Sequence, residues 1–140
     1  MNIALWILQV LLAALFLAHG WLLVAPPAEL VELMNSQLGV GFRIFIGVAE
    51  LLASAGLILP GVTRILPWLT ALAAAGLMIV MASATVFHSF RGETGSAITT
   101  AVLLVLVTVV AYLRWKIKPI APRTFRVALR RDLVSLGEQS

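Results

Sequence analysis

The stretch Ile3–Val24 reads IALWILQVLLAALFLAHGWLLV, and its character decides the fold. It has 22 residues and contains no Asp, Glu, Lys or Arg. A helix rises about 1.5 Å per residue, so this stretch would reach about 33 Å, which is enough to cross the hydrocarbon core of a bilayer. It is followed by Pro26 and Pro27, which do not easily continue a helix. We therefore predict a membrane-spanning helix here.

Three further apolar runs follow, at residues 43–60, 67–90 and 97–114. Overall, 61% of the 140 residues are apolar and only 11% are charged, whereas about 25% are charged in ordinary globular domains. The mean hydropathy is +1.06. A chain this short has too little interior to hide so much apolar surface, so lipid must be its solvent. We predict an all-α, integral membrane four-helix bundle over residues 1–115.

The basic residues predict the orientation of the chain. Seven of the ten Lys and Arg residues lie at the end of the fourth run or after it. A basic cluster next to a span indicates the cytoplasmic side and a contact with anionic lipid, and we expect no nucleic-acid partner. Both termini are therefore predicted to be cytoplasmic, and residues 116–140 to form a basic tail. The tail has the pattern of an interfacial helix, with one apolar face formed by Phe125, Leu129, Leu133 and Leu136. The alternative is a solvated tail that folds only on contact with lipid or a partner.

Two other local patterns lead to structural predictions. Residues 28–34 have the pattern of a short amphipathic helix in the first outer loop, and residues 39–41, Gly-Val-Gly, then lead into the second span. Small residues in the second and third spans would let their backbones approach closely. These small residues are Gly47, Ala53, Gly56, Ala71, Ala75 and Gly76.

Ionisable groups are rare in the four spans, and such groups usually face a bundle interior or a cavity. Glu50 lies seven residues after Arg43, and His19 lies seven residues before Pro26. Each is therefore expected about 10 Å below the predicted outer surface. Glu50 has two interpretations from the residues alone. In the first it is structural, through an ion pair with Arg43 or Arg91 or through a hydrogen bond that fixes helix order. In the second it is a proton donor or acceptor.

The end of the third run adds a second group of polar residues. His88 precedes Arg91 by three residues, which places it about 5 Å from the outer end of the span. Glu93 follows just beyond the span. Together with Glu50, His19 and Arg43, these residues predict one polar pocket in the outer half of the bundle. The spacing is not that of a metal or haem site, no cysteine is present, and no phosphate-binding loop is found.

Two motifs resemble a known family. Residues 47–60, GVAELLASAGLILP, resemble the second-span signature of the DoxX and DoxX-like membrane proteins, and residues 87–93, FHSFRGE, resemble their third-span ending. The resemblance covers about residues 3–115 and implies a four-helix membrane bundle in which Glu50, His88 and Glu93 are characteristic polar positions. Such proteins often carry a Lys shortly after the glycine that ends span one. Here Gly20 is followed directly by Trp-Leu-Leu at residues 21–23, with no Lys in that turn.

The family takes its name from a membrane subunit of a thiosulfate–quinone oxidoreductase. Its members resemble subunits of redox complexes and, more distantly, chaperones of other membrane proteins. The resemblance implies a multi-pass protein of a bacterial-type inner membrane. It leaves open whether the chain has a partner subunit, forms a homo-oligomer or is an enzyme.

The residues and the resemblance together give one leading hypothesis and two alternatives. In the leading hypothesis the pocket binds a lipophilic carbonyl-bearing ligand, such as a quinone or an isoprenoid-like molecule, in a redox-associated subunit whose electrons come from a partner. The first alternative is non-redox acid–base catalysis, and the second is an assembly factor or scaffold. Quinone is the candidate cofactor, and haem is not expected. Glu50 and His88 are the predicted catalytic residues, and the predicted ligand-binding residues are His19, Arg43, Arg91 and Glu93.

Overall fold

A computed structural model describes residues 2–117 and 119–121, and this part of the chain contains helices and no strand. Four helices are long and apolar enough to cross a membrane, with 22 to 24 residues in each candidate span. The all-α class and the four predicted spans are therefore confirmed. The helices are α1 (Asn2–Val24), α2 (Ala28–Leu38), α3 (Val40–Thr63), α4 (Leu69–Phe90) and α5 (Thr94–Tyr112), which continues as a π-helical turn at Leu113–Ile117.

Helix α3 is longer at both ends than the run 43–60 that predicted it. Pro60 lies inside the helix, and membrane-spanning helices tolerate proline because other groups of the protein can satisfy the backbone carbonyl that it leaves unpaired. The helix ends at Arg64, which has a left-handed backbone with φ of 57°. Pro67 then lies in the turn before α4, where its carbonyl accepts a hydrogen bond from the Thr70 amide at 3.3 Å.

The predicted helix in the first loop is present as α2, although it extends beyond residue 34 to Leu38. None of the 11 residues of α2 is buried. Gly39 separates α2 from α3 and has a φ of 74°, a conformation that glycine adopts without steric cost. The chain therefore changes direction within one residue. The interfacial helix predicted around Phe125 to Leu136 lies outside the described residues.

The four long helices form a bundle around a common core, and each helix contacts two others. Helix α1 packs on α3, α3 on α4 and α4 on α5, and α1 also meets α5. We call the end formed by residues 24–39 and 91–93 the α2 end. The end formed by residues 63–69, 113–117 and 119–121 is the Arg114 end. The buried apolar core is made of Leu5, Leu12, Ala13, Phe16, Leu57, Ala74, Leu77, Met81, Val107 and Val110.

Helices α1 and α3 approach most closely at two glycines. A Cβ atom added to Gly20 would lie 2.8 Å from the backbone oxygen of Gly47, and one added to Gly47 would lie 2.9 Å from that of Gly20. Gly56 contacts Ala73 of α4, so close contact of α3 with α4 is confirmed there. Gly47 instead packs on α1. The expectation for Gly76 was wrong, because no described atom lies within 4 Å of a Cβ added there.

We predict that Gly20→Ala destabilises the protein by about 1–3 kcal/mol, because the added methyl group meets backbone that cannot move without separating α1 from α3. Thermal unfolding in detergent would measure the loss as a lower Tm. Gly76→Ala is the matched control, and it should be neutral or stabilise the helix by up to about 1 kcal/mol. Equal Tm values for the two variants would contradict the close crossing.

Candidate functional site

The hydrogen bonds pair Glu50 of α3 with His19 of α1. The distance from His19 Nδ1 to Glu50 Oε2 is 2.7 Å. The Glu50 side chain is only 1% exposed, whereas 51% of the His19 side chain is exposed on the outside of the bundle. An ionised carboxylate accepts a hydrogen bond, so it selects the imidazole form that carries its proton on Nδ1. The pair therefore links a fully buried carboxylate to a half-exposed ring.

The two glycines of the α1–α3 crossing make this pair possible. A Cβ added to Gly20 would lie 3.1 Å from the Cβ of Glu50, so a larger residue there would compete with the glutamate for space. His19 precedes Gly20, and Glu50 lies one helical turn after Gly47. The close contact of the two backbones therefore brings the carboxylate within reach of the imidazole.

The second carboxylate oxygen of Glu50 is buried without a described partner. Oε1 is shielded from solvent and has no hydrogen bond within the described part of the chain. Burying a polar atom without a hydrogen bond costs free energy, about 1–3 kcal/mol for an unsatisfied group. A protein that keeps such an atom at membrane depth is a candidate for function at that position.

Arg43 does not pair with Glu50. Its side chain is buried, with 6% exposure. Its Nε donates to Asn35 Oδ1 at 3.0 Å, and its Nη1 donates to the backbone oxygen of Leu23. Arg43 therefore ties the end of α1, helix α2 and the start of α3 together at the α2 end.

His88, Arg91 and Glu93 form a separate cluster at the α4–α5 turn. Glu93 accepts from His88 Nδ1 at 2.6 Å and from Arg91 Nε at 2.7 Å. The guanidinium of Arg91 also lies over the ring of Phe87, with 5.3 Å between Cζ and the ring centroid. Gly92 makes the turn with a φ of 70°. These contacts close the cluster on itself and hold the two helix ends together.

The structure does not bring Glu50 and His88 together. Gly56 of α3 lies opposite Ala73 of α4, and adjacent helices run antiparallel. Glu50, six residues before Gly56, is therefore level with residue 79, and His88 lies nine residues further along α4. At about 1.5 Å per residue the two side chains are about 13 Å apart along the bundle axis. The six predicted site residues thus form two groups, with Arg43 as a separate anchor.

A buried polar chain at the Arg114 end was missed by the sequence analysis. Gln9 is fully buried and donates from Nε2 to the Leu57 oxygen at 2.7 Å. Arg114 donates from Nε to Gln9 Oε1 at 2.6 Å, and its Cζ lies 5.0 Å from the ring centroid of Trp6. The lone amide within the first apolar run was the available signal. The sequence pattern places Arg114 in the basic cluster near the C-terminus, whereas its side chain is buried in the bundle.

The described residues contain no group of three or more His, Cys, Asp or Glu side chains that could hold a metal ion. The His19–Glu50 pair offers one imidazole and one carboxylate. It is suited to hold and transfer a proton and to form a hydrogen bond with a polar atom of a ligand.

We predict that Glu93 titrates below its ordinary pKa of about 4.5, because hydrogen bonds from Arg91 and then from His88 stabilise the carboxylate. The folded-state pKa is lowered, so the cluster stabilises the α4–α5 turn above about pH 4.5, and this contribution is lost as the pH falls through the folded-state value. A carbon-detected NMR titration of the Glu93 carboxyl group would measure the pKa. Arg91→Gln should move it back towards 4.5 by more than His88→Gln does, and an unchanged pKa in Arg91→Gln would contradict the assignment.

Comparisons with known proteins identify the family of the chain. A search of curated proteins and a search of solved structures gave no match. A sequence model of the DoxX-like family matches residues 7–110, which include α1 to α4 almost entirely and most of α5. This match spans well over half of the chain and confirms the resemblance seen in residues 47–60 and 87–93. The chain is a membrane protein that belongs to the DoxX-like family.

Proposed function

We propose that the protein binds a lipophilic carbonyl-bearing ligand, a quinone or an isoprenoid-like molecule, at the His19–Glu50 pair. The observation that carries the proposal is the asymmetry of this pair. Glu50 is fully buried and His19 is half exposed at the side of a membrane-spanning helix. A ligand dissolved in the bilayer can therefore reach the ring without entering water.

The chemistry of the pair suits a ligand oxygen. With Nδ1 held by Glu50, the other ring nitrogen, Nε2, is directed to the opposite side of the imidazole. In the protonated ring Nε2 donates a hydrogen bond to a carbonyl oxygen, and the Glu50 carboxylate stabilises the positive charge. This interaction is strong because the surroundings have a low dielectric constant. The chain's own residues would thus bind the oxygen and hold a proton.

The proposal is narrower than the pocket predicted from the sequence. His88, Arg91 and Glu93 are satisfied by one another at the α4–α5 turn, and Arg43 is used by Asn35 and Leu23. We assign these four residues to holding the helix ends. A quinone, if it is the ligand, supplies the redox chemistry when bound, and its electrons come from a partner protein in the membrane.

A test of this proposal is binding of a photoreactive quinone analogue to the protein in nanodiscs. His19→Gln should weaken binding by about tenfold or more, because a hydrogen bond to a charged group contributes about 1.5–3 kcal/mol. Crosslinks in the wild-type protein should map to α1 and α3 near residues 19 and 50. Glu50→Gln keeps the size of the side chain and should also weaken binding.

His88→Gln is the matched control, since it removes an imidazole from the other cluster. It should leave binding of the analogue unchanged. If His19→Gln and His88→Gln bind the analogue equally well, the assignment to the His19–Glu50 pair is wrong. Conversion of an isoprenoid substrate by the purified protein without quinone would instead favour non-redox acid–base catalysis by the same pair.

One observation favours a scaffold as the second candidate function. The polar side chains of the α2 end are bonded directly to one another, as a cluster that only fixes helix packing would be. Of the four candidate spans, the one that contains α5 is also the least buried inside the bundle. A stoichiometric membrane partner that copurifies equally with wild type and His19→Gln would support this function over ligand binding.

A further inference from the structure

A cavity of about 620 Å³ opens at the Arg114 end of the bundle, away from the His19–Glu50 pair and from the cluster of His88, Arg91 and Glu93. It lies between the α3–α4 turn and residues 114, 115, 119 and 120, which follow α5. Its walls include Arg64, Trp68, Arg114, Trp115 and Ile120. None of the residues assigned to the proposed function takes part in it, so its role is independent of that function.

The charges that line the cavity are positive. Arg64 and Arg114 are both lining residues, and the described lining includes no acidic side chain. Arg114 is held in place because its Nε donates to Gln9 Oε1 at 2.6 Å and its guanidinium lies over the Trp6 ring. Arg64 is exposed at the end of α3, in the left-handed conformation that turns the chain towards α4. The cavity is therefore complementary to an anion.

The rim of the cavity is apolar and exposed. Ile65 is 61% exposed, Trp68 53% and Trp115 60%. These residues lie where α3 ends, α4 begins and α5 ends, and tryptophan is enriched at this level of membrane proteins. An anion-binding cavity with such a rim is matched to an amphiphile, because a free anion would leave the apolar surface uncovered.

We propose that this cavity binds the head group of an anionic phospholipid. The phosphate contacts the exposed guanidinium of Arg64, which can donate paired hydrogen bonds to it. Arg114 is buried and adds positive charge behind the cavity wall. The acyl chains run along the exposed apolar residues of the rim, beside Trp68 and Trp115. The site is part of the folded bundle and is distinct from the lipid contact predicted for the basic tail.

Native mass spectrometry of the full chain, released from nanodiscs of mixed phosphatidylglycerol and phosphatidylcholine, tests this proposal. The wild-type protein should retain one phosphatidylglycerol molecule in preference to phosphatidylcholine. Arg64→Gln should lower that preference about fivefold, because one basic residue near an anionic lipid surface contributes about 1 kcal/mol. Arg64→Lys keeps the charge and should restore most of it.

Arg91→Gln is the matched control, because it removes the same charge from an exposed arginine at the α2 end. It should retain phosphatidylglycerol as the wild-type protein does. Equal retention by Arg64→Gln and wild type, or an equal loss in Arg64→Gln and Arg91→Gln, would overturn the proposal. Displacement of the retained lipid by millimolar inorganic phosphate would also overturn it, because the anion alone would then be sufficient.

Discussion

The close approach of α1 and α3 at Gly20 and Gly47 is the constraint on which the rest of the structure depends. Two backbones in direct contact leave no room for solvent or lipid between the helices. A polar group at this contact must therefore find its hydrogen-bond partner on the facing helix. Glu50 meets this requirement at one oxygen only, through His19. Only small residues permit helices to cross this closely. The crossing therefore makes Glu50 the most deeply buried ionisable group of the described chain.

The same requirement explains how the other buried polar residues are arranged. Gln9 donates to the Leu57 carbonyl and accepts from Arg114, and these two bonds link α1, α3 and the turn after α5. At the other end, Arg43 satisfies the Leu23 carbonyl at the end of α1. Hydrogen bonds of this kind are retained because the surroundings offer no water as a substitute. They fix which helices are neighbours. At the contact of α1 with α3, the His19 side chain is the polar group that is exposed on the outside of the bundle.

Much of the candidate site was predictable because charge inside a membrane is rare. Glu50, His19 and His88 were identified from the sequence because each interrupts an otherwise apolar span. Their partners were not identified. The depths predicted from Arg43 and Arg91, about 10 Å for Glu50 and about 5 Å for His88, placed both residues in one outer layer. Helix α3 begins before Arg43, however, and the contact of Gly56 with Ala73 sets a different register. Small differences in helix start and register move a side chain by whole turns, and periodicity does not fix them.

The sequence by itself determined that the chain is helical, crosses a membrane four times and belongs with proteins of one family, because uncharged runs of about twenty residues have no other stable arrangement in lipid. Only the tertiary structure decided that Glu50 pairs with His19, that His88 closes on Glu93, and that Arg114 turns inward to line a cavity. These pairings depend on how closely two particular helices approach and how they are rotated. That information lies in the packing of side chains from distant parts of the chain and not in any local pattern.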